Sequence, residues 1–283
     1  MIRVVRVPIL LGGALGYCLG VLLGLDAGGI LSLPLAAVCY LVAALGDLST
    51  HYSNDYYDVE LDRLAPRKTF GGSNLLVSRG ELKRGALFSA EVLSLASIIL
   101  SFFAVSLGAP LLLVPLAVGA NFLGWLYSTL VRLSHRGLGE AAIAVGTGFG
   151  VPVAGYLAVT GAVDAHFLLI SAAFMLYGFV LSLSLELPDL EADRVGGKMN
   201  LVARYGSRFC LRLALLLCLG SEVILTLFAG AGMALAGLVP LLVVIWGNLA
   251  ATDEKSRLDA VSATCILSLF VFLVVSIGSL AFF

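Results

Sequence analysis

The sequence predicts an all-α, polytopic membrane protein with nine transmembrane helices. Of its 283 residues, 60% are hydrophobic and only 12% are charged, and the mean hydropathy is +1.05. Such values are typical of membrane bundles and not of soluble domains. Long apolar runs alternate with short turns or polar loops along the whole chain. A single membrane domain over residues 1–283 is therefore expected.

The apolar runs define the nine helices in chain order. They lie near residues 7–25, 31–53, 85–107, 109–131, 139–160, 166–187, 209–230, 232–251 and 260–282. Gly-rich segments on one side of the membrane predict tight turns, at 24–29, 108–110, 161–164 and 230–232. Polar loops are expected on the other side, at 54–84, 132–138, 188–208 and 252–259.

The distribution of basic residues predicts the orientation of these helices. All 17 Lys and Arg residues fall in the N-terminal segment, in the four polar loops or in the helix turns beside them. Because cytoplasmic loops carry the excess of Lys and Arg, the N-terminus and all four polar loops are predicted to be cytoplasmic. An odd number of helices then places the C-terminal Phe283 outside the cytoplasmic membrane.

A first acidic motif follows the second predicted helix. On a helix, Asp55, Asp58 and Asp62 share one face within about 60°, and Asn54 borders that face. Three converging carboxylates repel one another unless a cation neutralises them, and Mg²⁺ is the ion that such oxygen ligands favour. For one motif alone, a solvated acidic helix end is the alternative interpretation.

The same acid spacing returns 131 residues later, in Glu186, Asp189 and Asp193. Basic residues follow both motifs, Arg63 and Lys68 after the first and Arg194 and Lys198 after the second. Mg²⁺ binds phosphates through one or two carboxylates, while Arg and Lys take the remaining oxygens. The two motifs together therefore indicate a site for a metal-bound diphosphate.

The repeated motif also predicts an internal repeat. Each motif follows the second helix of a four-helix group, so the two groups have parallel topology. The pseudo-repeats cover residues of about 1–135 and 136–255, and the helix near 260–282 is an addition. The two acidic faces can therefore meet at one cytoplasmic mouth of the bundle.

These motifs resemble those of the UbiA superfamily of intramembrane prenyltransferases. The pattern NDxxDxxxD stands at Asn54–Asp62, and DxxDxxxD stands at Glu186–Asp193 with Glu in place of the first Asp. Further similar segments are Gly71-Gly72-Ser73, Arg136-Gly137-Leu138-Gly139-Glu140 and Gly197-Lys198-x-x-Leu201. The resemblance covers residues from about 50 to 205, and the helix count extends it over the chain.

The resemblance implies an all-α bundle with a central cavity that opens to the cytosolic side. Mg²⁺ held by both motifs would bind a polyprenyl diphosphate there, with the prenyl tail among apolar helices. The implied catalytic residues are Asp55, Asp58, Asp62, Asp189 and Asp193. The implied metal ligands are Asn54, Asp58, Asp62, Asp189 and Asp193. Arg63, Lys68 and Lys198 are candidates for binding the diphosphate, and Glu186, Tyr127, Arg132 and Asp47 for the acceptor or cavity. Relatives carry Tyr-x-x-x-Lys where this chain has Tyr127 and Val131, which makes Arg132 the nearest base.

The motif sequence Asn-Asp-Tyr-Tyr-Asp, followed by Gly-Gly-Ser-x-Leu-Leu-Val, looks most like the branch that prenylates 1,4-dihydroxy-2-naphthoate in menaquinone synthesis. The alternative acceptors are 4-hydroxybenzoate and a glycerol-phosphate ether lipid. A cation transporter is the alternative from another class. It predicts acids in mid-helix facing a pore, whereas nearly all acids of this chain lie in the predicted cytoplasmic loops beside Arg and Lys. A lipid-binding scaffold without activity is a further alternative, and it would not need both motifs intact.

Overall fold

The structure is a computed structural model that describes residues 7–64, 75–129, 131–250 and 254–282. Within these ranges every regular element is helical, which confirms the predicted all-α class. The α-helices are α1 (Val7–Asp26), α2 (Leu33–Tyr57), α3 (Val59–Leu64), α4 (Leu75–Ser78), α5 (Lys83–Ser106), α6 (Leu113–Ser128), α7 (Gly139–Val145), α8 (Val151–Thr160), α9 (Ala165–Glu186), α10 (Leu190–Val195), α11 (Leu201–Tyr205), α12 (Ser207–Phe228), α13 (Gly230–Ala250) and α14 (Lys255–Phe282).

Seven helical runs in the described part of the chain are long and apolar enough to cross a membrane. They are 33–57, 80–106, 139–160, 165–195, 207–228, 230–250 and 255–282. Two shorter apolar helices, 10–26 and 113–128, occupy the positions of the first and fourth predicted spans. The count of nine spans therefore stays a prediction.

The fifth predicted helix is interrupted rather than continuous. A π-helical turn, Gly146–Gly150, separates α7 from α8 in the run 139–160. A Cβ atom at Gly148 would lie 2.4 Å from the backbone of Met175 on α9, so only glycine fits at this crossing. Pro152 near the start of α8 is compatible with a new helix beginning there.

The two faces of α5 show how the chain suits a bilayer. Large apolar side chains at Phe88, Leu95 and Ile99 are 59–66% exposed along one stripe. Small residues fill the opposite stripe, where Ala90 and Ser97 are fully buried. Lipid can cover the apolar stripe, and small residues let the helix pack closely against its neighbour.

The first of two compact units comprises the described parts of residues 1–63, 73–132 and 150–164. In it, α1 packs on α8, and α2 packs on α5 and α6. At one crossing, a Cβ atom at Gly20 would lie 2.0 Å from the carbonyl oxygen of Pro152, so the helices touch backbone to backbone. The hydroxyl of Ser97 donates to the Val42 carbonyl at 2.8 Å and accepts from the Asn121 amide at 3.1 Å. These contacts fix α2, which carries the first acidic motif.

The second unit comprises the described parts of residues 64–72, 133–149 and 165–283. Here α9 packs on α7, α12 and α14, and α13 packs on α12 and α14. Phe174 and Tyr177 on α9 stack against Phe272 on α14. These contacts fix the position of α9, whose last residue, Glu186, is the first residue of the second motif. Because α8 packs on α1, the two units do not follow the proposed repeat boundary near residue 135, and the repeat stays a prediction.

Candidate active site

The first acidic motif lies on the last turn of α2 and on α3. The α-helix ends at Tyr57, and Asp58 leaves the helical region with φ −94° and ψ 9°. The hydrogen bonds nevertheless continue, from the Asp58 amide to the Asn54 carbonyl at 2.9 Å and from the Asp62 amide to the Asp58 carbonyl at 2.8 Å. The predicted shared face therefore survives a break in the helix that the sequence did not reveal.

All three aspartates of this motif are buried. Asp55, Asp58 and Asp62 are only 3%, 6% and 5% exposed. The Oδ1 atom of Asp58 receives no hydrogen bond from any residue within the described ranges. A buried carboxylate oxygen without a donor is costly unless a cation neutralises it. The solvated helix end is therefore a poor description of this motif, and the oxygen set fits a hard cation such as Mg²⁺.

Asn54 has a partner that the sequence did not indicate. The hydroxyl of Ser128, at the end of α6, donates to the Asn54 Oδ1 atom at 2.9 Å. Ser128 is 1% exposed. This bond orients the Asn54 amide oxygen, which is the atom that would bind a metal. The only sequence signal is that Ser128 follows the candidate residue Tyr127.

Glu60 and Arg63 lie on the outside of the same segment. The Arg63 Nη1 atom is 2.8 Å from the Glu60 Oε2 atom, and the two side chains are 54% and 71% exposed. Arg63 thus forms a surface ion pair, and its binding to a diphosphate stays a prediction. Lys68 and the Gly71-Gly72-Ser73 segment lie outside the described residues.

The second motif bridges α9 and α10. Glu186 is the last residue of α9, Leu187–Asp189 forms a 3₁₀ turn, and α10 begins at Leu190. Pro188 favours this change of helix type because it cannot donate an interior helical bond. Glu186 and Asp193 are 7% and 6% exposed, and Asp189 is half-buried.

Asp193 has two partners from the segment that follows α10. The Asn200 side-chain amide donates to the Asp193 Oδ2 atom at 2.6 Å. The Lys198 Nζ atom lies 3.9 Å from the same oxygen. Asn200 also caps α11, because its Oδ1 atom accepts the Ala203 amide at 2.7 Å. The structure therefore places Lys198 and Asn200 at the Asp193 carboxylate, and the roles of Asp193 and Lys198 stay predictions.

Glu140 is a second residue that the sequence did not assign to the site. It lies in the first turn of α7 and is 0% exposed. Its Oε1 atom accepts the Leu201 amide at 2.6 Å. Its carboxyl group also contacts that of Glu186, and Lys198 and Asp193 both act electrostatically on Glu186. Two charged carboxyl groups in contact repel each other, and the positive charge of Lys198 opposes this repulsion.

The remaining predicted residues belong to the first unit. Asp47 lines a small cavity beside Tyr40 and Val151, and its Oδ1 atom lies 3.4 Å from the His51 Nε2 atom. Tyr127 is half-buried, whereas Arg132 is exposed with φ 49°. Their roles in binding the acceptor stay predictions.

Within the described residues, no three His, Cys, Asp or Glu side chains form a group that could hold a metal ion by themselves. A model of the UbiA prenyltransferase family matches residues 14–274. The chain belongs to the UbiA prenyltransferase family. The prediction of a prenyltransferase is thereby confirmed, as is that of an integral membrane protein.

Solved structures of the same fold accompany this match. A UbiA homologue from Archaeoglobus fulgidus, bound to DMAPP and Mg²⁺, has a TM-score of 0.72 at 18% identity, covering 96% of this chain and 98% of that one. An apo UbiA homologue from Aeropyrum pernix K1 has a TM-score of 0.71 at 18% identity, covering 98% of both chains. A digeranylgeranylglyceryl phosphate synthase has a TM-score of 0.68 at 18% identity, covering 96% of this chain and 92% of that one. No curated protein matches the sequence significantly.

Proposed function

We propose that this UbiA-family chain transfers a polyprenyl group from an allylic diphosphate to 1,4-dihydroxy-2-naphthoate in menaquinone biosynthesis. The observation that carries the proposal is the repeated acid spacing, with most of its acids buried, in a prenyltransferase fold. A homologue of the same fold holds both DMAPP and Mg²⁺. The acceptor is inferred from the Asn-Asp-Tyr-Tyr-Asp sequence of the first motif and the segment after it.

The donor end of the reaction needs charge stabilisation. The bond between the prenyl C1 atom and the diphosphate oxygen breaks, and pyrophosphate leaves with the bonding electrons. C1 then bonds to an electron-rich ring carbon of the acceptor, and that carbon loses its proton, or CO₂ where it carries the carboxylate, to restore the aromatic ring. When bound, Mg²⁺ neutralises the negative charge that develops on the leaving group. Asn54, Asp58, Asp62, Asp189 and Asp193 are the proposed metal ligands, and Asp55 acts with the aspartates as a catalytic residue.

Basic residues complete the binding of the leaving group. Lys198 is 16% exposed in its side chain and already lies beside Asp193, so its charge is held where a metal-bound phosphate would be. Lys68 and Arg63 follow the first motif in the sequence and are proposed to bind further phosphate oxygens. Such contacts strengthen as negative charge develops on the leaving pyrophosphate, so they stabilise the transition state more than they stabilise the bound donor.

The acceptor must react with the prenyl cation before water does. Apolar helices around the prenyl chain exclude water from C1. Glu186, Tyr127, Arg132 and Asp47 are the proposed residues on the acceptor side. The charge distribution favours active-site loops and an N-terminus in the cytoplasm, with the C-terminus outside the cytoplasmic membrane.

One assay distinguishes the acceptors. Purified protein in detergent with Mg²⁺ and a polyprenyl diphosphate is given 1,4-dihydroxy-2-naphthoate, 4-hydroxybenzoate or a glycerol-phosphate ether lipid, and products are identified by mass spectrometry. We expect the naphthoate to give the highest kcat/KM. Preference for either of the other two would replace the acceptor and keep the family activity. Absence of product with all acceptors and several donor chain lengths would refute the proposed function.

A further inference from the structure

Glu140 is the most deeply buried acid among the described residues that the proposed reaction does not use. It is 0% exposed, and its Oε1 atom accepts the backbone amide of Leu201 at 2.6 Å. The two residues are 61 positions apart in the sequence, on α7 and α11. Glu140 therefore ties the start of α11 to α7.

The hydrogen bond between Glu140 and Leu201 fixes the segment that contains the partners of Asp193. Leu201 directly follows Asn200, whose side-chain amide donates to Asp193 at 2.6 Å. Lys198, three residues before Leu201, reaches the same carboxylate. A displacement of the Leu201 backbone would carry both partners away from Asp193, because Asn200 is its direct neighbour and only three peptide bonds link Leu201 to Lys198.

Further contacts place the same two segments against each other. The Met199 amide donates to the His135 carbonyl at 3.2 Å, and the Arg204 Nη2 atom donates to the Arg136 carbonyl at 3.1 Å. Both of these hydrogen bonds lie nearer the surface than Glu140 does, because their donor residues, Met199 and Arg204, are exposed. Of these three hydrogen bonds, the one from the Leu201 amide to Glu140 involves the least exposed side chain.

Glu140 also contacts a residue of the second motif directly, namely Glu186. The Oε2 atoms of both residues receive no hydrogen bond from a donor within the described ranges. The two carboxyl groups, one on α7 and one at the end of α9, contact each other. Glu140 thus touches the side chain at the first position of the second motif and, through Leu201, the partners of the last.

We propose that Glu140 is a positioning residue for the second motif: it sets the place of Lys198 and Asn200 at Asp193 through its bond to the Leu201 amide. This inference rests on the proposed function, because Lys198 and Asp193 are assigned there to the metal-bound diphosphate. Glu140 itself contacts neither donor nor acceptor in this assignment. Its loss should weaken the binding of the Mg²⁺-diphosphate.

Two variants of Glu140 separate the hydrogen bond from the charge. Glu140→Gln keeps an oxygen acceptor for the Leu201 amide, whereas Glu140→Leu has a similar size and no acceptor. We expect kcat/KM for the donor to stay within about threefold of wild type in the Gln variant. In the Leu variant it should fall roughly tenfold to a hundredfold, as for a buried donor left without an acceptor, with a higher KM for the donor and for Mg²⁺. Glu191→Leu is the control, because Glu191 is 81% exposed in its side chain on α10.

Leu201→Pro removes the same hydrogen bond from the donor side and covers the case in which Glu140→Leu does not fold. Leu201 is the first residue of α11, where proline is tolerated, and Asn200 before it is extended at φ −66° and ψ 171°. We expect the same rise in both KM values. Hydrogen–deuterium exchange adds a readout independent of activity, because the Leu201 amide should exchange faster in Glu140→Leu and at the wild-type rate in Glu140→Gln.

The outcomes separate this inference from the proposed function. Wild-type KM values in Glu140→Leu or in Leu201→Pro would overturn the positioning role. So would an equal defect in Glu140→Gln and Glu140→Leu, because the charge and not the bond to Leu201 would then matter. An inactive wild-type protein would instead refute the proposed function, while the exchange of the Leu201 amide would still test the bond.

Discussion

Replacing Asp58 by Asn should lower activity and raise stability in the absence of metal. Asp58 is 6% exposed, and its Oδ1 atom receives no hydrogen bond within the described part of the chain. Asp55 and Asp62, equally buried on the same face, add repulsion. Asn has the same shape without the charge, so the substitution removes a buried group that only a cation would neutralise.

The size of the stability effect follows from this burial. An unsatisfied buried polar group costs about 1–3 kcal/mol. At roughly 2–4 °C per kcal/mol, the Tm of Asp58→Asn in EDTA should exceed that of wild type by roughly 2–12 °C. In wild type, saturating Mg²⁺ and donor at about 100 times Kd add about 2.7 kcal/mol, and most of this gain should be absent from the variant. Its kcat/KM should fall by roughly 10²–10³, as for the loss of a single electrostatic contact to the transition state.

Thermal unfolding in detergent, followed by tryptophan fluorescence with and without Mg²⁺ and donor, measures these shifts. Glu60→Gln is the matched control, since it removes an acid two residues away whose side chain is 71% exposed and paired with Arg63. Its Tm should change by at most about 4 °C, because surface ion pairs are worth at most about 1 kcal/mol. An Asp58→Asn protein that is less stable in EDTA and keeps the wild-type response to Mg²⁺ would refute this reasoning.

Three further predictions concern the partners of the motifs and the orientation of the chain. Lys198→Ala should lower kcat/KM roughly tenfold to a thousandfold with every donor and acceptor; a defect confined to one acceptor in a test of two donors and two acceptors would remove Lys198 from the diphosphate site. Ser128→Ala should raise the Mg²⁺ concentration needed for half-maximal rate by roughly two- to tenfold, as expected for loss of one neutral hydrogen bond, whereas Ser106→Ala at an exposed position should not. In a protein without its five native cysteines, Ser78→Cys should be labelled from the cytoplasmic side and Ala162→Cys from outside. Labelling of both from one side would contradict the proposed topology.

The sequence was sufficient for the helical class and for the acids of the two motifs. Apolar runs and the positions of glycines located the long helices to within a few residues, because these features are local. The spacing of Asp55, Asp58 and Asp62 predicted their shared face for the same reason. The break at Asp58 could not be predicted, since the residues around it remain compatible with a continuous helix.

Contacts between distant segments were beyond the reach of the sequence. Ser128 donates to Asn54 across 74 residues, and Glu140 accepts from Leu201 across 61. The helix dipole is a sufficient local explanation for an acid near the start of a helix, so the sequence gives no signal for the contact of Glu140 with Leu201. Such pairs depend on how α6 packs on α2 and on how α7 packs on α9.

The most direct test of the function compares pyrophosphate release with product formation in the purified wild-type protein. A donor labelled in its prenyl chain is incubated with 1,4-dihydroxy-2-naphthoate, with Mg²⁺ or with EDTA. We predict one labelled naphthoate product for each pyrophosphate released, and neither in EDTA. Release of pyrophosphate with the label recovered only as prenyl alcohol, or equal turnover in EDTA, would contradict Mg²⁺-dependent prenyl transfer by this chain.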